Sequence, residues 1–159
     1  MSVTIFCDMD GVLSDFDASF FDIMGVHPKE ADKDTFKKFW NTVCSSPDFW
    51  SNMGVMNDYE TLWNFIKPYN PIILTGCPYS GKWYAENGKK IWRDKFLGNE
   101  FELIATMSKI KQKFIKQEGD ILIDDNEDNC RRWSEAGGVS ILHVDAETTI
   151  RQLNEVLKG

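Results

Sequence analysis

The chain of 159 residues has a net charge of −7, and 42% of its residues are apolar. The length fits one domain with a small insert, and the apolar content excludes a disordered chain. A negative net charge argues against nucleic acid and anionic membranes as partners, because both require a basic face. The N-terminus lacks signal-peptide features, no stretch approaches membrane-spanning length, and the four cysteines lack zinc spacing, so we expect a cytoplasmic protein.

The N-terminal part of the chain begins with an apolar strand and then becomes helical. Residues 3–7 are apolar and rich in strand-forming side chains, which predicts a buried strand. Apolar residues at helical spacing predict three helices, at residues 15–24, 33–44 and 58–67. This helical stretch of about fifty residues is too long for an ordinary connection between two strands. We therefore predict a small helical cap at residues 16–67, inserted after the first strand.

Beyond this stretch, strands and helices alternate. Strands are predicted at residues 71–75, 101–106, 121–124 and 139–144, and helices at 82–96, 109–116, 127–136 and 148–158. The alternation predicts an α/β fold with a Rossmann-like parallel five-stranded sheet and helices on both faces. We expect the strand order 3-2-1-4-5. Residues 1–15 and 68–159 then form the core, and residues 16–67 form the cap.

Two acidic clusters follow apolar strands. Asp8 and Asp10 follow the first strand, and Asp124 and Asp125 follow the fourth. In the expected order these strands are neighbours, so all four carboxylates converge at the edge of the sheet where ligands bind. Carboxylates this close require a cation, and oxygen ligands favour Mg²⁺. As separate residues they would suit turns or helix N-caps, but two paired clusters at strand ends argue against that alternative.

These motifs resemble those of haloacid dehalogenase-type phosphatases. Four stretches carry the resemblance in the family's order: DMDGV at residues 8–12, Thr75 at the end of a strand, Lys109 at the start of a helix, and Asp124–Asp125. The resemblance implies that Asp8 is the nucleophile, which attacks phosphorus and becomes an aspartyl-phosphate. It also implies that Asp10 protonates the leaving alcohol and later activates water.

The same resemblance implies a Mg²⁺ ion held by Asp8, the main-chain carbonyl of Asp10, and Asp125. Asp124 is either a further ligand or a hydrogen-bonding partner of the ligands.

The resemblance also assigns the groups that bind the phosphoryl oxygens. Thr75 and the amide of Gly76 would donate hydrogen bonds to these oxygens, and Lys109 would neutralise charge in the transition state. Lys111 and Lys113 are alternatives to Lys109, because the spacing of this motif is not tight.

Within the superfamily, the chain most resembles the 5'(3')-deoxyribonucleotidases. Residues 8–16 and 89–98 carry this closer resemblance. It implies that Phe16 stacks on the nucleobase and that Lys89 reaches the substrate phosphate. Further walls of the base site are available from aromatic residues of the cap: Trp40, Phe49 and Trp50.

We therefore expect a Mg²⁺-dependent phosphomonoesterase that dephosphorylates ribo- or deoxyribonucleoside monophosphates. Asn126 stands where the nucleotidase family usually has an arginine, which predicts weaker discrimination among bases. A small phosphate ester is the expected partner, and another such ester, for example a sugar phosphate, stays an alternative substrate. A homodimer is left open as the oligomeric state.

Three other functions are weaker interpretations of the sequence. The segment Gly76 to Lys82 nearly matches the phosphate-binding loop of NTPases, but Trp83 replaces the hydroxyl residue that binds Mg²⁺, and the loop leaves Asp8 and Asp10 unexplained. A cysteine phosphatase requires Cys-x₅-Arg, which none of the four cysteines provides. A non-enzymatic binding module would not need a nucleophile, an acid, a hydroxyl and a lysine together.

Overall fold

The computed structural model describes residues 2–159 and is built around one parallel sheet. Within this range the strands are β1 (Ile5–Cys7), β2 (Ser14–Asp15), β3 (Gly54–Val55), β4 (Ile72–Gly76), β5 (Leu103–Thr106), β6 (Ile121–Asp124) and β7 (Val139–Leu142). The α-helices are α1 (Phe16–Met24), α2 (Lys33–Val43), α3 (Asp48–Ser51), α4 (Tyr59–Ile66), α5 (Lys82–Phe96), α6 (Glu127–Glu135) and α7 (Ala146–Lys158). Short 3₁₀ helices lie at Pro28–Glu30, Lys67–Tyr69 and Ser108–Phe114.

The central sheet has five strands in the order β5-β4-β1-β6-β7. Every pairing within it is parallel, and β1 lies between β4 and β6. The predicted α/β fold and the order 3-2-1-4-5 are therefore confirmed. Because β1 and β6 are neighbours, the acidic residues that follow β1 lie beside those at the end of β6.

The two faces of the sheet bury alternate residues of each strand, as the period of two requires. On one face, Ile5 and Cys7 of β1 join the larger apolar core, which includes Leu153 of α7. On the other face, Phe6 packs edge-on against Trp133 of α6, with the ring centroids 5.1 Å apart. Helices therefore cover both faces, which explains why β1 and β6 are continuous apolar runs.

The segment after β5 differs from the prediction. Residues 109–116 were expected to form an α-helix, but Ser108–Phe114 is a 3₁₀ helix. A 3₁₀ helix has three residues per turn, so Ser108, Lys111 and Phe114 lie on one side of it. This spacing decides which lysine of the segment faces the sheet.

The cap is joined to the core by a short antiparallel ribbon of β2 and β3. Ser14 pairs with Val55 and Asp15 with Gly54, so the chain leaves and re-enters the core at neighbouring positions. Between them, α1, α2 and α3 pack through aromatic contacts; for example, the ring centroids of Phe20 and Phe39 are 4.6 Å apart.

The helix α4 lies with the core, although the predicted cap boundary at residue 67 includes it in the insert. Leu62 and Ile66 are buried in the main apolar core, and α4 packs against α7. The carboxylate of Asp58 also accepts a hydrogen bond of 2.7 Å from the amide of Ala146, the first residue of α7. We therefore describe the cap by α1, α2 and α3.

Over residues 2–159, none of the helices combines the length and the apolar character needed to cross a membrane.

Candidate active site

Three carboxylates converge at the carboxyl ends of β1 and β6. Oxygen atoms of Asp8, Asp124 and Asp125 lie within 4.8 Å of one another. Gly11 makes this approach possible: its φ is +86°, and a Cβ atom there would collide with the carboxylate of Asp125. Three of the four carboxylates that were expected to converge thus do so, whereas the carboxylate of Asp10 lies outside this group, bound by Ser14 and Lys89, and lines the same cavity.

Lys111 is the lysine that lies between the buried acids. Its Nζ atom is 2.8 Å from Oδ1 of Asp8 and 2.8 Å from Oδ2 of Asp124, and the residue is only 1% exposed. Burial alone would lower the pKa of Lys111, but Asp8 and Asp124 together raise it above its ordinary value. Lys111 is therefore a fixed positive charge beside the expected nucleophile.

Lys109, which the sequence analysis expected to neutralise charge in the transition state, is exposed, and so is the alternative Lys113. The structure thus places Lys111, one of the two alternatives, beside Asp8 in place of the expected Lys109. The reason is the 3₁₀ geometry: Lys111 follows Ser108 by one turn of three residues and faces the sheet, whereas Lys109 and Lys113 do not share that face.

Asp124 is held by hydrogen bonds on both of its carboxylate oxygens. Oδ1 accepts from the amide of Asn126 at 2.9 Å, and Oδ2 accepts from Nδ2 of Asn129 at 3.1 Å as well as from Lys111. Its side chain is fully buried, whereas Asp125 is exposed. Asn129, which the sequence analysis did not identify, thus orients Asp124, and Asp124 in turn orients Lys111.

The electrostatics of the cluster favour a bound cation. Burial raises the pKa of Asp8 well above its ordinary value, and the charge of Asp124 raises it further. Asp125 keeps exposed surface, but the residues around its carboxyl group partly desolvate it, which raises its pKa to about 6, and the charge of Asp124 raises it further. Three carboxylates share the single positive charge of Lys111, so the excess is negative. An all-oxygen donor set with excess negative charge fits Mg²⁺, and Asp8 and Asp125 have the oxygens to offer.

Asp10 is anchored through both oxygens of its carboxylate. Oδ1 accepts a hydrogen bond from the hydroxyl of Ser14 at 2.9 Å, and Oδ2 lies 2.9 Å from Nζ of Lys89. Lys89 also donates to Oγ1 of Thr75 at 2.8 Å and to the carbonyl of Gly76 at 2.7 Å. Lys89 and Thr75 are fully buried, behind the surface that a ligand would touch.

A cavity of about 380 Å³ opens above these residues. Its lining comprises Asp8, Asp10, Phe16, Trp40, Trp50, Gly76, Cys77, Pro78, Ser108, Lys111, Asp124, Asp125, Asn126 and Asn129. Gly76 lies so close to Ser108 that a Cβ atom at Gly76 would collide with the Ser108 hydroxyl. Ser108 is a polar lining residue that the sequence analysis missed, and its spacing of three from Lys111 was the available signal.

Aromatic rings of the cap form one wall of the cavity. The ring of Trp50 lies 6.3 Å from that of Phe16 and 6.1 Å from that of Trp40, each at an interplanar angle of 22°. Phe49 packs edge-on against Trp50 with a centroid distance of 4.9 Å, and does not line the cavity. Of the expected aromatic walls, the structure thus brings Phe16, Trp40 and Trp50 to the cavity and leaves Phe49 behind them.

The segment that resembles an NTPase loop has a different role here. Gly76 lines the cavity, but Lys82 lies on the surface of α5, where its Nζ atom is 3.9 Å from the carboxylate of Glu86. Trp83, in the position of the required hydroxyl, is 68% exposed. Neither Lys82 nor Trp83 lines the cavity above the acidic cluster. This geometry argues against the NTPase alternative.

Comparisons with known proteins show what this architecture resembles. No protein-family model matches the chain, and no curated protein does. Solved structures do match: a hydrolase from Streptococcus pneumoniae TIGR4 has a TM-score of 0.53 at 11% identity, with 95% of this chain and 97% of that chain covered. A HAD-superfamily hydrolase from Ehrlichia chaffeensis has a TM-score of 0.52 at 16% identity, with 98% and 96% covered. Over nearly its whole length, the chain therefore shares the fold of a HAD-superfamily hydrolase.

Proposed function

We propose that the chain is a Mg²⁺-dependent phosphomonoesterase that works through an aspartyl-phosphate on Asp8. The observation that carries the proposal is the pairing of buried Asp8 with buried Lys111 at 2.8 Å, in a cavity that Asp10 and Asp125 also line. A carboxylate nucleophile needs a neighbouring positive charge when it approaches an anionic phosphate, and Lys111 supplies that charge.

The reaction proceeds in two halves. In the first, an oxygen of Asp8 forms a bond to phosphorus while the bond from phosphorus to the ester oxygen breaks, and Asp10 gives its proton to the departing alcohol. In the second, Asp10 takes a proton from water as the water oxygen bonds to phosphorus and the bond to Asp8 breaks. Inorganic phosphate leaves, and both carboxyl groups return to their starting states.

The acidic cluster gives each carboxylate a separate task. Asp8, the main-chain carbonyl of Asp10, and Asp125 would hold Mg²⁺, which neutralises the negative charge of the carboxylates and the phosphoryl group. Asp124 is better suited to support than to ligation, because the protein already occupies both of its oxygens. The role of Asp124 is then to fix Lys111 beside Asp8.

Removal of the metal is expected to abolish phosphate release from any ester. The unshielded carboxylates would repel the anionic substrate, so EDTA should stop turnover and added Mg²⁺ should restore it. Ca²⁺ should bind and inhibit, because its looser coordination misplaces the nucleophile. Phosphate release from a panel of nucleoside monophosphates and sugar phosphates, measured with each ion, tests both the metal and the reaction. Full activity in EDTA would contradict the metal site.

For the substrate, we infer a nucleoside monophosphate, held between core and cap. The phosphoryl group would lie at the acidic cluster, and the base would lie against the wall of Phe16, Trp40 and Trp50. Stacking on an aromatic ring contributes about 1–3 kcal/mol per base. This flat aromatic wall suits a nucleobase better than a sugar, which favours a nucleotide over a sugar phosphate.

Phe16→Ala is expected to raise KM for nucleoside monophosphates about tenfold, the value of one lost stacking contact. The variant should spare a small alkyl phosphate, because that ester carries no aromatic ring that could stack on Phe16. Steady-state kinetics on both substrates measures the difference. Phe21→Ala on the same helix is the control, because Phe21 is 52% exposed and does not line the cavity.

Phe16 also packs against Phe20 and Phe39, with ring centroids 6.0 and 5.7 Å away, so its loss will reduce stability as well. A purely structural role predicts equal losses on both esters. Similar efficiencies of the wild-type protein on sugar phosphates and nucleotides would overturn the substrate assignment and leave the phosphatase proposal in place.

A further inference from the structure

Lys89 is a buried lysine in the middle of an amphipathic helix. Ala85, Gly88, Lys89 and Trp92 are the buried residues of α5, and they lie on one face of it at helical spacing. The lysine side chain is inaccessible to solvent. Charged side chains are almost never fully buried without partners, so this position needs an explanation.

The cap covers Lys89 from outside. Gly88 allows this cover, because a Cβ atom at that position would collide with the carbonyl of Pro47 and with Cβ of Trp50. The indole ring of Trp50 lies over the ammonium group, with Nζ 5.2 Å from the ring centroid, a favourable cation–π arrangement. The helix α3, which carries Trp50, thus separates Lys89 from bulk water.

On its inner side, the ammonium group makes all the hydrogen bonds that it can. An ammonium has three donors, and Lys89 has three acceptors: Oδ2 of Asp10 at 2.9 Å, Oγ1 of Thr75 at 2.8 Å and the carbonyl of Gly76 at 2.7 Å. No donor remains for a phosphoryl oxygen. The arrangement differs from the contact with substrate phosphate that the nucleotidase resemblance implies for Lys89.

We propose that Lys89 is a positioning residue that fixes the carboxyl group of Asp10 for proton transfer to the leaving alcohol. This inference rests on the proposed phosphatase function. Lys89 holds Oδ2 of Asp10 and Ser14 holds Oδ1, so the carboxyl group cannot rotate freely. Each oxygen of a carboxyl group has two lone pairs. Asp10 can therefore carry the proton that it donates to the leaving oxygen while Lys89 and Ser14 still hold it, and it faces the substrate, since it lines the cavity and its side chain is 24% exposed.

The nature of the leaving group distinguishes a residue that positions the acid from a residue that binds the phosphoryl group. An alkyl alcohol is a poor leaving group and needs the proton of Asp10 as its bond to phosphorus breaks. p-Nitrophenolate is stable as an anion and departs without a proton. A residue that acts through the acid should therefore lower kcat/KM, which reports the steps up to formation of the aspartyl-phosphate, much more for alkyl esters than for aryl esters. A residue that binds the phosphoryl group should lower kcat/KM for both alike.

Lys89→Met tests the proposal, with Lys90→Met as the matched control. Lys90 is the next residue in the chain, but it is partly exposed and pairs with Glu86 at 3.0 Å. General acid catalysis contributes about 10²–10⁴-fold, so we expect Lys89→Met to lower kcat/KM for alkyl phosphates by at least about a hundredfold. For p-nitrophenyl phosphate, the loss of kcat/KM should stay below about tenfold, although kcat falls for both esters because Asp10 also activates water in the second half of the reaction. Lys90→Met should resemble the wild-type protein on both.

Two further variants are needed. One keeps the proposal testable if Lys89→Met folds poorly, and the other tests whether Lys89 acts through Asp10. Lys89→Gln keeps a polar side chain in the buried site, but its amide nitrogen ends one bond short of the Nζ position and does not hold Asp10, so the variant should show the same preference for aryl esters. In an Asp10→Asn background, the substitution of Lys89 should cause no additional loss that is specific to alkyl esters. An additional loss of that kind would overturn the proposal.

Other outcomes have distinct meanings. Equal losses of kcat/KM on alkyl and aryl esters would show that Lys89 is only structural. Weaker inhibition by inorganic phosphate, with both kcat values unchanged, would show that Lys89 binds the phosphoryl group, and either result overturns the proposal. Failure of the proposed function looks different, because the wild-type protein itself would then hydrolyse none of the esters.

Discussion

Asp8→Asn is expected to lower kcat for every phosphate ester by at least about a thousandfold, because the amide cannot form the aspartyl-phosphate. Asn has nearly the same shape as Asp, so the buried position stays filled, and Lys111 keeps Asp124 as a partner at 2.8 Å. Steady-state turnover and denaturant unfolding, measured on the same preparations, separate the loss of chemistry from a loss of fold.

A control and a ligand make this experiment specific. Asp128→Asn changes an exposed carboxylate of α6 and should leave kcat unchanged. Beryllofluoride, which mimics a phosphoryl group on a carboxylate, should bind the wild-type protein in the presence of Mg²⁺ and fail to bind Asp8→Asn. Retention of most of the activity by Asp8→Asn would show that another group is the nucleophile and would refute the two-step mechanism.

The core of the fold could be predicted because its signals are local. The strands around Asp8 and Asp124 are short apolar runs that end in acids, and alternation with helices leaves few parallel arrangements for them. The prediction of the acidic cluster follows directly, since carboxyl ends of neighbouring parallel strands meet at one edge. Whether α4 packs with the core or with the cap could not be predicted in the same way, because an amphipathic pattern does not reveal which of the two its apolar face contacts.

The identity of the central lysine depended on a local geometry that apolar periodicity does not reveal. An α-helix over residues 109–116 would favour its first lysine, Lys109, as the residue at the site. The 3₁₀ helix that actually forms turns every three residues and instead aligns Lys111 with Ser108. A segment of seven residues is too short for periodicity to distinguish the two helix types.

The burial of Lys89, by contrast, had a signal in the sequence. Ala85, Gly88, Lys89 and Trp92 follow the spacing of a buried helix face, and a lysine on such a face requires a buried acceptor. The resemblance to nucleotidases directs attention to the phosphate instead. Which acid accepts the charge still depended on packing, because Asp10 and Lys89 are 79 residues apart in the chain.

Lys111→Met is expected to damage both stability and catalysis. The substitution keeps the length of the side chain but leaves Asp8 and Asp124 buried side by side without the shared positive charge. Removal of one partner of a buried ion pair typically costs about 3–5 kcal/mol. The free energy of unfolding, measured without metal, should therefore fall by that amount. Loss of a preorganised positive donor at the phosphoryl group should lower kcat by about 10²–10³-fold, even where the variant is folded.

Lys109→Met and Lys113→Met are matched controls in the same segment. Both lysines are exposed, so each variant should keep the wild-type kcat and unfold within about 0.5 kcal/mol of the wild-type protein. Mg²⁺ should stabilise Lys111→Met more than it stabilises the wild-type protein, because the ion then binds next to carboxylates that have lost the positive charge of Lys111. If Lys109→Met is the variant that loses activity and Lys111→Met keeps it, the charge at the phosphoryl group comes from Lys109, and the arrangement of Asp8, Lys111 and Asp124 serves stability alone.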